Sequence, residues 1–218
     1  MSADSIIRYN TLLLVLAAGC CDSLTFVSAD ELFSAHVTGN FIIFAYDIIK
    51  GADFVTWIRL LTFPVFLTGV VTGGWLARLT DNRHVILKIE GGLLIFGGLI
   101  LLMMNLLHAR SVNLNFEIAL LVVFVMGMQN AFGKLFSKEV YGPTTVMTGN
   151  VTQVALRLFE YLSPGKRDPA LTEGLRRDLI VIFGFLCGCL LGGVSGLHFG
   201  LAGILIPGCL LLFVRKVY

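Results

Sequence analysis

Six stretches of this chain are apolar for long enough to cross a lipid bilayer. They run from Tyr9 to Ser28, Trp57 to Leu79, Val85 to Leu107, Phe116 to Phe136, Leu179 to Leu197 and Phe199 to Val214, the last being short. A spanning helix takes about 20 residues, so six of them leave the 218-residue chain room for loops but none for a large extramembrane domain. The expected fold class is an all-α integral membrane protein, a single membrane domain over residues 1–218. Composition sharpens this by exclusion. Only 14% of the residues are charged, against roughly 25% in a soluble domain. The formal net charge of +2 offers no footprint for nucleic acid, and soluble enzyme chemistry is equally excluded.

The five cysteines (Cys20, Cys21, Cys187, Cys189 and Cys209) all fall inside apolar runs, without the spacing or His partners of a zinc site. They read as small packing residues, and neither metal nor cofactor is expected. Ala17-Ala18-Gly19-Cys20 imitates a lipoprotein cleavage box but lacks the Leu three residues before Cys20, so this stretch reads as a retained first span.

Two further stretches, Asp30 to Ile49 and Tyr141 to Leu162, are too polar in their first halves for ordinary spans. Each ends in a short helical pattern, Phe41 to Ile49 and Val151 to Tyr161, and each carries Thr-Gly-Asn: Thr38-Gly39-Asn40 and Thr148-Gly149-Asn150. The matches extend both ways. Gly19-x-x-Asp22 precedes the first copy and Gly127-x-x-Asn130 the second, while Phe66-Leu67-x-Gly69-x-x-x-Gly73-Gly74 follows the first and Phe185-Leu186-x-Gly188-x-x-x-Gly192-Gly193 the second. Three matches in one order make an internal repeat, from about Asn10 to Leu107 and from about Phe116 to Val214.

Whether the Thr-Gly-Asn segments cross decides whether the copies lie parallel or inverted. If they are broken or re-entrant and the N-terminus is cytoplasmic, the cytoplasmic side holds Arg8, Arg78, Arg83, Lys88, Lys134, Lys138, Lys166, Arg167, Arg176, Arg177, Arg215 and Lys216, and the outside only Lys50, Arg59 and Arg110. The positive-inside rule then favours six spans, both termini cytoplasmic, and two inverted three-span repeats. Gly69 with Gly73, and Gly188 with Gly192, place small residues one turn apart for close helix packing, between the copies or in a homodimer.

Asn40 and Asn150 stand where an Asn can cap the helix that follows, with Gly39 and Gly149 freeing the backbone to turn. In inverted copies the two helix starts would face one midplane point with unpaired N–H groups and positive dipole ends, attracting a small anionic solute; mere capping of two packed helices is the alternative. Asp22 reads as the one carboxylate well inside an apolar span, where a charge costs about 3 kcal/mol. It is a candidate for a coupling proton, a cation, or a structural bond to the Thr-Gly-Asn loop, and its counterpart is Asn130, preceded by Gln129. An anion site beside an ionised Asp22 would defeat itself, so anion and proton go together. His36 is a candidate proton relay or solute ligand, or an interfacial side chain. Asp30 and Glu31 belong at the outer mouth of the first segment. Arg157 and Glu160 read as a pair one turn apart, with Asp47 and Lys50 at the corresponding places with signs reversed, and both pairs as structural.

The first span with Gly19-x-x-Asp22, the segment Ala35-His36-Val37-Thr38-Gly39-Asn40, the second Thr148-Gly149-Asn150 and six spans together resemble the YoaK-like family of bacterial inner-membrane proteins, over nearly the whole chain. That family is a domain of unknown function, so the resemblance implies location and fold and no substrate. The first copy has Val37 where such proteins carry Met; the second keeps Met147.

The function expected from the residues is a small secondary transporter of a small, anionic solute, proton-coupled through Asp22, in the bacterial inner membrane, with a homodimer plausible in so small a chain. A channel is one alternative. Another is a structural or regulatory membrane protein whose broken helices pack on one another. An intramembrane enzyme using Asp22 and His36 finds no nucleophile pair or metal cluster to support it.

Overall fold

The computed structural model describes residues 2–80, 82–109, 111–142, 144–145, 147–163 and 168–216. Those residues form α1 (Ala3–Ser28), α2 (Val37–Lys50), α3 (Phe54–Leu79), α4 (His84–Leu106), α5 (Val112–Leu135), α6 (Met147–Leu162), α7 (Pro169–Phe199), a 3₁₀ turn (Gly200–Ile204) and α8 (Leu205–Leu212), with no strand among them.

Local chemistry starts and stops these helices. Ser2 caps α1, Asp53 and Thr56 cap each other at the start of α3, Ser111 caps α5 and Asp168 caps α7, each satisfying an amide that has no partner within its helix. Pro169 opens α7, where its missing N–H would be unused anyway. At the far end Gly200 takes φ 59° and ψ −153°, a backbone state open essentially to glycine alone, and the chain leaves α7 in a new direction.

Among the described residues, α1, α3, α4, α5 and the stretch Pro169–Leu212 are long and apolar enough to cross a membrane, five in all. The outward-facing Trp57, Trp75, Phe96, Phe159 and Leu197 suit a lipid surround. The run expected from Phe199 to Val214 is not a sixth long helix. It opens as the 3₁₀ turn and continues as the 8-residue α8, because the glycine break comes at its beginning.

Close contacts fix the helix directions. A side chain at Gly184 would meet Leu12 and Val15, one at Gly188 would meet Leu16, and one at Gly192 would meet Cys20, so α7 runs parallel to α1. By the same test α3 runs parallel to α5, Gly69 lying on Phe124 and Gly127, and Gly73 on Met128 and Ala131. After Gly200 the direction reverses: Gly203 meets Leu24, while Arg215 bonds Asn10 near the start of α1. The stretch through α8 therefore descends beside α1, and beside α4, where Gly98 meets Leu205 and Gly91 meets Gly208. α1 and α5 are antiparallel, since Gln129 donates to the Leu14 carbonyl and the Tyr141 amide to the Thr11 hydroxyl.

The short helices lie on the flanks. α2 packs back along α3, and α6 packs back along α7. The core sits between α1, α4, α5 and α8, filled by Leu14, Leu24, Leu94, Met126, Met128 and Ile204. Both Gly pairs are spent on contacts within one chain, so a homodimer has to use other surface.

Candidate functional site

Asp22 lies inside α1, six residues before its end, and is 5% exposed. After α1 the chain turns through Asp30 and Glu31, both at positive φ (48° and 57°), and comes back down to Asp22 before α2 begins. There the Asp22 carboxylate gathers the loop. Oδ1 accepts from the amides of Ser34 (2.9 Å), Ala35 (2.7 Å) and His36 (3.3 Å), and Oδ2 lies 2.6 Å from Nδ1 of His36. The carboxylate thus holds the three loop amides that lead into α2. His36 is a little over one-third exposed and its ring meets Phe185 of α7 edge-on. Its hydrogen bond to Asp22 raises the imidazole pKa above the ordinary value, against the opposing effect of burial.

Asn40 closes the other side of the loop. Its Oδ1 accepts from the Phe33 amide (2.9 Å), and its Nδ2 donates to the Phe33 carbonyl (2.8 Å) and to Thr62 Oγ1 on α3 (2.9 Å). This corrects the expected capping role: α2 begins at Val37, so Thr38-Gly39-Asn40 lies inside its first turn, His36 is the residue before the helix, and no side chain caps it. Gly39 makes no sharp turn either; a side chain there would press on the Phe33 ring at 3.0 Å. Thr38 faces outward.

The second copy builds a related but uncharged arrangement. Asn130 donates to Thr145 Oγ1 (2.7 Å), and Gln129 donates to Thr144 Oγ1 (3.1 Å) as well as to Leu14. α6 begins at Met147, placing Asn150 inside its first turn and buried, while Thr148 and Gly149 face outward. Asp22, His36 and Asn40 are therefore brought together, as are Gln129 and Asn130 with the threonines. The two clusters are separate: α2 packs on α3 and α6 on α7, not on each other, and no hydrogen bond joins the clusters among the described residues.

Sequence reasoning paired Arg157 with Glu160. The structure instead pairs Arg157 with Asp178 of α7, and in the first copy Asp47 with Arg59 of α3 at 2.6 Å. Arg59 also donates to the Asp30 carbonyl (2.6 Å), tying the ends of α1 and α2 to α3. The signal was available: counting back seven residues from Phe66 and from Phe185 reaches Arg59 and Asp178. Asp22 is not the only enclosed carboxylate either. Glu90 in α4, within the apolar run Val85 to Leu107, is fully buried as well.

Two cavities open at opposite ends of the molecule. One of about 630 Å³ is lined by Asp4, Lys138, Tyr141, Arg157, Glu173, Arg177 and Asp178. The other, about 560 Å³, includes Ser28, Asn105, Ser111, Asn115 and His198.

A family model described as "Protein of unknown function (DUF1275)" matches residues 11–216. YoaK-like proteins fall within this family. No curated protein and no solved structure is significantly similar to the chain.

Proposed function

The chain belongs to this family of unknown function, a membership that brings no chemistry with it, and we propose that the protein is a small secondary transporter of a small anionic solute, coupled to protons through His36 held by Asp22. The carrying observation is the 2.6 Å contact between the buried Asp22 carboxylate and a partly exposed imidazole. With Oδ1 surrounded by three amides, a proton arriving at this pair goes to the imidazole. Protonation adds positive charge beside the surface that an anion would approach, so proton and anion favour each other. Asp22 positions the carrier and is not itself the carrier.

The architecture proposed with this function is two inverted copies, six crossings and two re-entrant helices. What supports it is the pattern of partners: α1 lies parallel on α7 as α5 lies parallel on α3, α2 packs on α3 as α6 packs on α7, and α1 opposes α5 as α4 opposes α8. Inverted copies are a common way to build a transport path. The uneven basic residues support a bacterial inner-membrane setting with both termini cytoplasmic.

One observation favours a structural role instead: every backbone group that Asp22 and Asn40 touch is satisfied internally, as a loop built only to pack would be. Purified protein reconstituted into vesicles containing a pH-sensitive dye separates the two. Addition of a transported anion should acidify or alkalinise the lumen in wild type, and His36→Gln should abolish the proton signal while leaving the protein folded. If no anion in a broad panel moves protons or raises the melting temperature, the transport reading fails and the structural one stands.

A further inference from the structure

Glu90 stands in the second turn of α4 with no exposed surface, and neither of its carboxyl oxygens has a hydrogen-bond partner. Its surroundings are tight. A side chain on the next residue, Gly91, would meet the Gly208 carbonyl at 2.8 Å and Leu211 and Leu212 just beyond. Gly97 packs on Ile118 and Leu121 of α5, and on α5 the Oε1 of Gln129 is also enclosed and unpartnered.

The helices around Glu90 offer it no counter-charge. On α1 the ionisable side chains at this depth are the Cys21 thiol, which is within electrostatic reach, and Asp22, already engaged by the loop. Between Glu117 and Lys134, α5 has no ionisable residue, and α8 has only the outward-facing Cys209. On α4 itself Lys88 is exposed, and His84 sits at the helix start, 3.9 Å from Glu139.

An ionised carboxylate without donor or cation is far costlier in such a place than the neutral acid. A hard metal cation would demand six or more oxygens, and among the described residues of α4 and α5 the enclosed side-chain oxygens without a partner are the two of Glu90 and the one of Gln129. We propose that Glu90 is a proton-binding site, a neutral carboxylic acid enclosed by α1, α4, α5 and α8 that can take up and give up one proton. Loading forms one carboxyl O–H bond; unloading breaks it and passes the proton to water, leaving a carboxylate. The site stands whether or not the protein carries a solute, and it is distinct from the His36 and Asp22 pair.

Infrared difference spectra between acidic and alkaline pH, recorded on reconstituted wild type, Glu90→Gln and Asp22→Asn, test this without any solute. The expected result is a protonated-carboxyl stretch, shifted in deuterated water, present in wild type and Asp22→Asn and absent from Glu90→Gln. Glu90→Gln should melt close to wild type, because a neutral isostere replaces a neutral acid. No such band in wild type, or the same band surviving in Glu90→Gln, overturns the proposal. A Glu90→Gln protein that fails to fold also counts against it. Sodium-dependent stabilisation lost in Glu90→Gln would assign the place to a metal cation and overturn it as well.

Discussion

The oxygens of Asp22 divide their work, one holding three loop amides and the other the His36 ring, and this division decides how the loop should respond to pH. His36 has its pKa raised in the folded protein by that hydrogen bond. The stabilisation it supplies is therefore complete below the unfolded value of about 6.5 and fades as pH rises through the raised value. Thermal unfolding in detergent should show wild type above His36→Gln at acidic pH, with the gap closing toward alkaline pH; a gap that does not change with pH would remove the ion-pair interpretation. Asn40 bonds both backbone groups of Phe33, so Asn40→Ala should destabilise by about 2 kcal/mol, the cost of leaving buried polar groups unpaired, and denaturant or thermal melts would measure it. Asp22 stood out in the sequence as a carboxylate inside an apolar run, and His36 and Asn40 through the repeated Thr-Gly-Asn. Their partners did not, since Ser34 and Ala35 act through backbone amides that any residue type would provide.

At the scale of helices the sequence was most legible in its glycines and least in its ion pairs. The Gly69 and Gly188 spacings declared close packing, and the structure sets Gly69 of α3 on the backbone of α5 and Gly188 of α7 on the backbone of α1. Gly188→Leu should consequently cost more than the 1–3 kcal/mol usual for overpacking, because the atoms it meets are the Leu16 backbone rather than a movable side chain. Gly193→Ala, with nothing within 4 Å of the added carbon, should be near neutral in the same melting assay, and equal effects from the two would contradict the packing described. Ion pairs were misread because spacing along one helix is visible in a sequence and apposition across two helices is not. Asp47 with Arg59 and Arg157 with Asp178 are one device used twice with the charges exchanged, each fastening a short helix to the span after it. Reversing the first pair, Asp47→Arg with Arg59→Asp, should accordingly recover much of the stability that either single change loses in thermal melts, since breaking this part-buried pair strands the other charge.

For the whole molecule the decisive matter is how α2 travels between α1 and α3. The charge asymmetry of the sequence leans toward a segment that enters and leaves on one side; in the structure the start of α2 is tied to Asp22 within α1 and its far end through Arg59 to the Asp30 carbonyl at the end of α1. At 14 residues and 1.5 Å per residue, α2 reaches about 21 Å, short of the roughly 30 Å hydrocarbon thickness. What the sequence could not display is the closing of the chain at the other end, where Asn10 and Arg215 meet, since nothing in either residue type announces that pairing. Single cysteines placed in a variant lacking the five native ones test the arrangement. Asp30→Cys and Lys50→Cys should react with a membrane-impermeant maleimide from one side of intact cells, while Lys138→Cys and Glu173→Cys should react only after the membrane is opened. Labelling of positions 30 and 50 from opposite sides would mean that α2 crosses. The two copies would then have to lie parallel, and the antiparallel contact of α1 with α5 would have no place in the membrane-embedded protein.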